Sequence, residues 1–165
     1  MIAVRIPKQK NFMAKLLTTD LFDRFLLEEA TVETYNTFVI DGRIHRDFYK
    51  DSDNPEDIPT EDFSKWSKIR PLCLDLIKGK NTPLSFKFVL RLCESDKEDL
   101  FRNLDSDISP ENISFGINIK YAQGTVVVTT GVSYALFTLD KEAEKAWDKY
   151  IPSFLESNDI ETEIL

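Results

Sequence analysis

The chain has 165 residues, 42% hydrophobic, 12% aromatic and 30% charged, a composition that suits one globular domain and excludes general disorder. Its formal net charge of −8 argues against indiscriminate nucleic-acid binding, which needs local Lys and Arg. The average hides an asymmetry, since residues 8–19 carry +3 and residues 63–82 carry +4, leaving −15 on the rest.

Ile2 to Ile6 predicts a first strand, ended by Pro7, which has no N–H for a sheet ladder. The start MIAVRIPKQK is too short in apolar residues for a signal peptide, and no run of about 18 apolar residues follows anywhere, so a cytoplasmic protein without a membrane partner is expected. Lys8 to Thr18 predicts a helix with Phe12, Met13, Leu16 and Leu17 on one face and Lys8, Asn11 and Lys15 on the other. Thr19 to Leu27 fits both a short helical turn and a loop. From Glu29 the chain turns β-rich, and Asp41-Gly42 reads as a tight hairpin turn that returns Arg43 to Tyr49 as a strand.

Residues 50–60 form an acidic loop with two prolines. They do not match a calcium loop, because Glu56 and Asp62 stand where that device needs Gly and Glu. Thr60 is expected to cap a helix ending near Gly79, with Trp66, Cys73 and Ile77 buried and a kink at Pro71. Leu84 to Cys93 predicts a strand with Leu84, Phe86, Phe88, Leu90 and Leu92 on one face. Ser95 and Glu98 have the spacing of a capping box for a short helix.

The most strand-like stretch is Ile113 to Leu139. Ile113, Phe115, Ile117, Ile119 and Tyr121 alternate with polar residues, Gly124 marks a turn, and Gly131 suggests a bulge in the returning strand. Asp140 is expected to cap a last helix whose buried stripe is Ala143, Ala146, Trp147, Tyr150, Ile151 and Phe154, followed by an acidic tail over 157–165 that frays. The whole chain, 1–165, thus reads as a single α+β domain: a mostly antiparallel sheet of about six or seven strands with helices packed on it.

The blocks YNTFVIDGRIHRDFY (Tyr35 to Tyr49) and SKIRPLCLDLIKGKNTPLSFKFVLRL (Ser67 to Leu92) resemble an uncharacterised bacterial family, a domain of unknown function. The resemblance implies no activity.

No catalytic constellation is legible. His45 is the only histidine, so no histidine pair for zinc exists, and the flanks of Ser133 do not fit a nucleophile elbow. Gly79-Lys80 lacks the earlier glycine of a phosphate loop. Cys73 and Cys93 read as two buried thiols. No catalytic residue, cofactor or metal is therefore assigned, and a non-enzymatic interaction module with an unknown protein partner is expected, a homo-oligomer being open. An enzyme with a pocket assembled only by the fold is an alternative. Another is nucleic-acid association: the order strand, helix, strands, helix, antiparallel strands is similar to one domain of the sliding clamps, whose paired helices face duplex DNA. That resemblance implies phosphate-backbone contacts from Lys8, Lys15, Lys65, Lys68 and Lys78, all on polar helix faces.

Overall fold

In chain order the elements are β1 (Ala3–Ile6), α1 (Gln9–Thr18), β2 (Phe25–Glu33), β3 (Thr37–Asp41), β4 (Ser64–Lys65), α2 (Trp66–Ile77), β5 (Ser85–Leu92), α3 (Glu94–Phe101), β6 (Ile113–Ala122), β7 (Thr125–Tyr134), α4 (Glu142–Ser157) and β8 (Glu163–Ile164). The computed structural model describes residues 1–165. Every strand pairing is antiparallel, in the order β3-β2-β5-β6-β7-β1-β8, and β4 also pairs with β2. The domain is α+β.

Period-2 patterning decides which side of the sheet is covered. Phe86, Phe88, Leu90 and Leu92 of β5, Ile113, Phe115, Ile117 and Ile119 of β6, and Val126 and Val128 of β7 are all buried. Helices seal that face. The Trp66 ring of α2 lies 5.2 Å from Phe88 and its indole N–H donates to the Leu16 carbonyl of α1 at 3.1 Å, which ties the two helices together. From α4, Trp147 packs 5.1 Å from Phe115 and Phe154 packs 5.6 Å from Phe22. The alternate residues Lys87, Val89, Arg91, Asn118, Lys120, Val127 and Thr129 stand on the opposite, half-exposed face.

Several expectations from sequence need correction. Phe25 to Leu27 opens β2 and is neither helical turn nor loop: Leu26 is buried because β4 pairs beside it. Glu28 forms the bulge between Leu27 and Glu29, whereas Gly131 continues an unbroken ladder opposite Gly116. Asp41-Gly42 makes no hairpin turn. Arg43 forms only an isolated bridge to Phe63, and Arg46–Tyr49 is a 3-10 turn. Gly42 serves close packing, since a Cβ there would lie 1.8 Å from the Leu27 carbonyl oxygen.

The second long helix starts at Trp66 and not near Thr60, because Ser64 and Lys65 are extended to pair with β2. It runs as one helix through Pro71, and Ile77 is only half-buried. Leu84 precedes β5 and is exposed. α3 begins at Glu94, which puts Ser95 inside the first turn and leaves no capping box. Cys73 is buried but Cys93 only half-buried. The buried stripe of α4 is Ala143, Trp147, Ile151 and Leu155. The acidic tail does not fray: Ile160 is buried and β8 pairs with β1, placing Glu163 opposite Arg5.

Candidate functional site

Three places carry chemistry that the core does not use. The first is the set of lysines. α1 and α2 lie side by side, as the bond from Trp66 to Leu16 requires, so all five lysines belong to neighbouring elements. Four of them have partners. Lys8 pairs with Glu161 at 3.4 Å, Lys15 donates to the Asn158 carbonyl, Lys78 pairs with Asp75 at 2.9 Å, and Lys68 donates to the Tyr49 hydroxyl at 3.3 Å while its ammonium sits over that ring. Lys65 is exposed at the start of α2.

The second is a cleft of about 400 Å³ between the acidic loop and α2. Glu56, Asp57 and Glu61 line it together with Tyr49, Lys65 and Lys68, so charges of both signs share the cleft. His45 is exposed and does not line it. No three His, Cys, Asp or Glu side chains converge in a way that would hold a metal ion.

The third is the connection between β7 and α4. Leu136, Phe137 and Leu139 expose 64%, 92% and 82% of their surface. This connection is anchored at both ends. The Ala135 N–H donates to the Asn112 carbonyl at 2.8 Å, and the Asp140 carboxylate accepts from the Ser106 hydroxyl at 2.8 Å and from the Asp107 N–H at 3.4 Å. Asp140 also accepts from the Glu142 N–H at 2.9 Å. The N-cap position of α4 is Lys141 and not Asp140 as expected from sequence, so Asp140 holds the first helical residue from one position further out. These bonds, led by the one from Glu142 and then the Ser106 hydroxyl, hold its pKa below the ordinary carboxylate value. At the base, burial raises the Tyr134 phenol above its usual value, with the charges of Glu144 and Asp140 adding to the effect.

The bonds to Asn112, Ser106 and Asp107 lay the α3–β6 connection alongside the apolar one. Residues 103–112 contain Asp105, Asp107 and Glu111 and no basic residue, and Asp140 closes the second stretch. The connection that carries the three large apolar side chains therefore runs beside a stretch with three acids, and Asp140 and Lys141 close its own end. Sequence reading missed them because ALFTL continues the apolar run of β7; what sets them apart is that the strand ends at Tyr134 and no partner layer reaches them.

No helix is long and apolar enough to cross a membrane. No curated protein and no solved structure matches the chain. The model of a family of unknown function, DUF5721, matches residues 15–163, nearly the whole of the domain described above, and the chain belongs to that family.

Proposed function

We propose that the protein is a non-enzymatic protein-interaction module that docks its partner on the β7–α4 connection. The observation that carries this reading is the exposure of Leu136, Phe137 and Leu139 on a segment held at both ends by hydrogen bonds. Exposing one leucine is ordinary; three large apolar side chains within four residues is the pattern of a binding surface. A pre-anchored segment loses little conformational entropy on binding, which favours affinity. Asp105, Asp107, Glu111 and Asp140 fit a partner whose apolar pocket is rimmed by Lys and Arg, and they disfavour anionic lipid headgroups.

A photo-reactive phenylalanine analogue placed at position 137 tests this in living cells, with Lys145 as the exposed control position. The expected result is one dominant protein adduct from position 137, absent from the control and lost when Leu136 and Leu139 are both changed to Ser. Equal adduct patterns from the two positions overturn the reading.

A second reading, association with nucleic acid, is supported by the side-by-side placement of α1 and α2 and by the order β1-α1-β2-β3-β4-α2-β5-β6-β7, on which the likeness to a sliding-clamp domain rests. Against it stand the acidic partners of Lys8 and Lys78 and the capping of Lys15 by Asn158. Titration with labelled duplex DNA at about 50 and 200 mM salt separates the readings, since phosphate contacts weaken steeply with salt. A Lys15/Lys65/Lys68→Glu variant should lose any such binding. Absence of binding at the lower salt removes the nucleic-acid reading.

A further inference from the structure

The two ends of the sheet are finished differently. At one end the two-residue β8 lies over β1, and the ion pair between Arg5 and Glu163 fastens it. At the other end β3 pairs with β2 on one side only. The bond from the Gly42 N–H to the Glu28 carbonyl and the one from the Thr34 N–H to the Asn36 carbonyl fix the phase of that ladder. Bonded pairs alternate in an antiparallel ladder, so Asn36, Phe38, Ile40 and Gly42 face β2, and the N–H and C=O groups of Thr37, Val39 and Asp41 point away from the sheet. The strand has no Lys, no Pro and no bulge to blunt its edge, and its one charge is Asp41 at its end, with Val39 64% exposed and Tyr35 83% exposed beside it.

We propose that β3 is a self-association edge, pairing antiparallel with β3 of a second copy about a two-fold axis through Val39. The argument is that this strand is complementary to itself. With Val39 opposite Val39 of the second copy, Thr37 falls opposite Asp41 and Asp41 opposite Thr37, so all three outward-facing residues find partners and six backbone hydrogen bonds close. The single charge on the strand meets a hydroxyl donor and never its own copy. On the helix-covered face Phe38 lies across from Ile40, which extends the apolar layer from one domain into the other. Tyr35 comes to face Arg43.

Sliding the pairing by two residues in one direction sets Asp41 against Val39, and in the other direction it takes Asp41 past the end of the strand to Tyr35. A parallel arrangement would bring the two Asp41 carboxylates close together. Beyond residue 41 the ladder ends, because the Arg43 N–H is already taken by the Asp41 carboxylate at 3.0 Å. The edge therefore specifies both a register and a length, which a site for arbitrary extended peptides does not need.

Sedimentation across about 1 to 200 μM protein tests the proposal, since a short edge-to-edge interface suits micromolar affinity. The expected result is a concentration-dependent shift from 19.1 kDa towards twice that mass. Val39→Lys and Val39→Glu, which leave the β2 ladder untouched, should each be monomeric at every concentration, while an equimolar mixture of the two should dimerise. Recovery in the mixture depends on position 39 facing itself, so it reports the register as well as the edge. Val39→Pro, which removes one outward N–H, should also be monomeric with an unchanged circular dichroism spectrum. A wild-type protein that stays at the monomer mass at the highest concentration, as it would if the edge served a foreign strand, overturns the proposal. A dimer that survives Val39→Lys overturns it too.

Discussion

Trp147 donates its indole N–H to the carbonyl of Gly116, 2.8 Å away at the middle of the sheet, while its ring packs against Phe115 and Tyr150. One side chain thus fixes the height and rotation of α4 over β6. Trp147→Phe keeps most of the apolar contact and leaves the Gly116 carbonyl without that donor. A loss of about 1–3 kcal/mol is expected in urea unfolding, from the lost hydrogen bond and the small cavity left by the smaller ring. A loss below about 0.5 kcal/mol would mean that another group or water replaces the donor.

Burial pushes the Cys73 thiol from 9.0 up to about 12. The folded value lies above the unfolded one, so the stabilisation is fully present below pH 9 and fades as the pH rises from there towards 12. Relative to Cys73→Ala, the wild type should lose up to about 1.4 kcal/mol more per pH unit in that window. Parallel stability-versus-pH curves for the two proteins would refute this. The same burial makes Cys73 inert to a thiol reagent in the native state, while the half-buried Cys93 should be modified quickly.

Lys97 is only 4% exposed, and its ammonium is held by the Ile113 carbonyl at 3.0 Å and by Glu94 at 2.8 Å. Lys97→Met retains the aliphatic stem and removes the donor, so a cost of about 1–3 kcal/mol is expected. Glu94 is largely exposed, and Glu94→Gln should cost no more than about 1 kcal/mol. Chemical denaturation of the two variants checks the order. A larger loss from Glu94→Gln would show that the ion pair outweighs the bond to the backbone.

Two glycines, one just after β3 and one within β7, should respond in opposite ways. Gly42→Ala drives a methyl group into the Leu27 carbonyl 1.8 Å away, so several kcal/mol or failure to fold is expected. Gly131→Ala meets no atom within 4 Å and sits in an extended strand, and it should be neutral or slightly stabilising. Melting temperatures of the pair settle the contrast, and equal values would mean that β2 shifts to make room.

The Asp140 carboxylate is held below its usual pKa, so its anchoring of the β7–α4 connection is present above 3.8 and is lost as the pH falls below that value. Asp140→Ala should speed amide hydrogen exchange at Asp107 and Glu142 at neutral pH while the exchange of β6 stays unchanged. Unchanged exchange at both amides would show that the connection is held by Ala135 and Asn112 alone.

Most of the sheet was legible because helices cover only one side of it: β5, β6 and β7 each show a strict two-residue alternation, and the Gln123-Gly124 turn lies where the pattern breaks. β2 was hard to read at its start, where Phe25, Leu26 and Leu27 are all buried because β4 covers the side that solvent would otherwise reach. Gly42 misled because a glycine required for close approach looks like a glycine required for a turn. The lysines of α1 and α2 were legible as a charge asymmetry, but their partners were not, since Glu161 and Asn158 are more than 140 residues from Lys8 and Lys15 in the chain. The exposed Leu136, Phe137 and Leu139 were hidden by the apolar run that precedes them.

The antiparallel ladder between β1 and β7 joins Ala3 to Thr129 and Ile6 to Val126. At ribosomal rates of about 5–20 residues per second, the first strand emerges roughly 6–25 s before the strand that will hold it. Over that interval Val4 and Ile6 have no strand to pair with, while β2 and β3 can already close their local hairpin and α1 can meet α2. β1 thus waits for its place through the making of β2 to β6, and its exposure to chaperones and proteases is set by the arrival of Val126 and Val128.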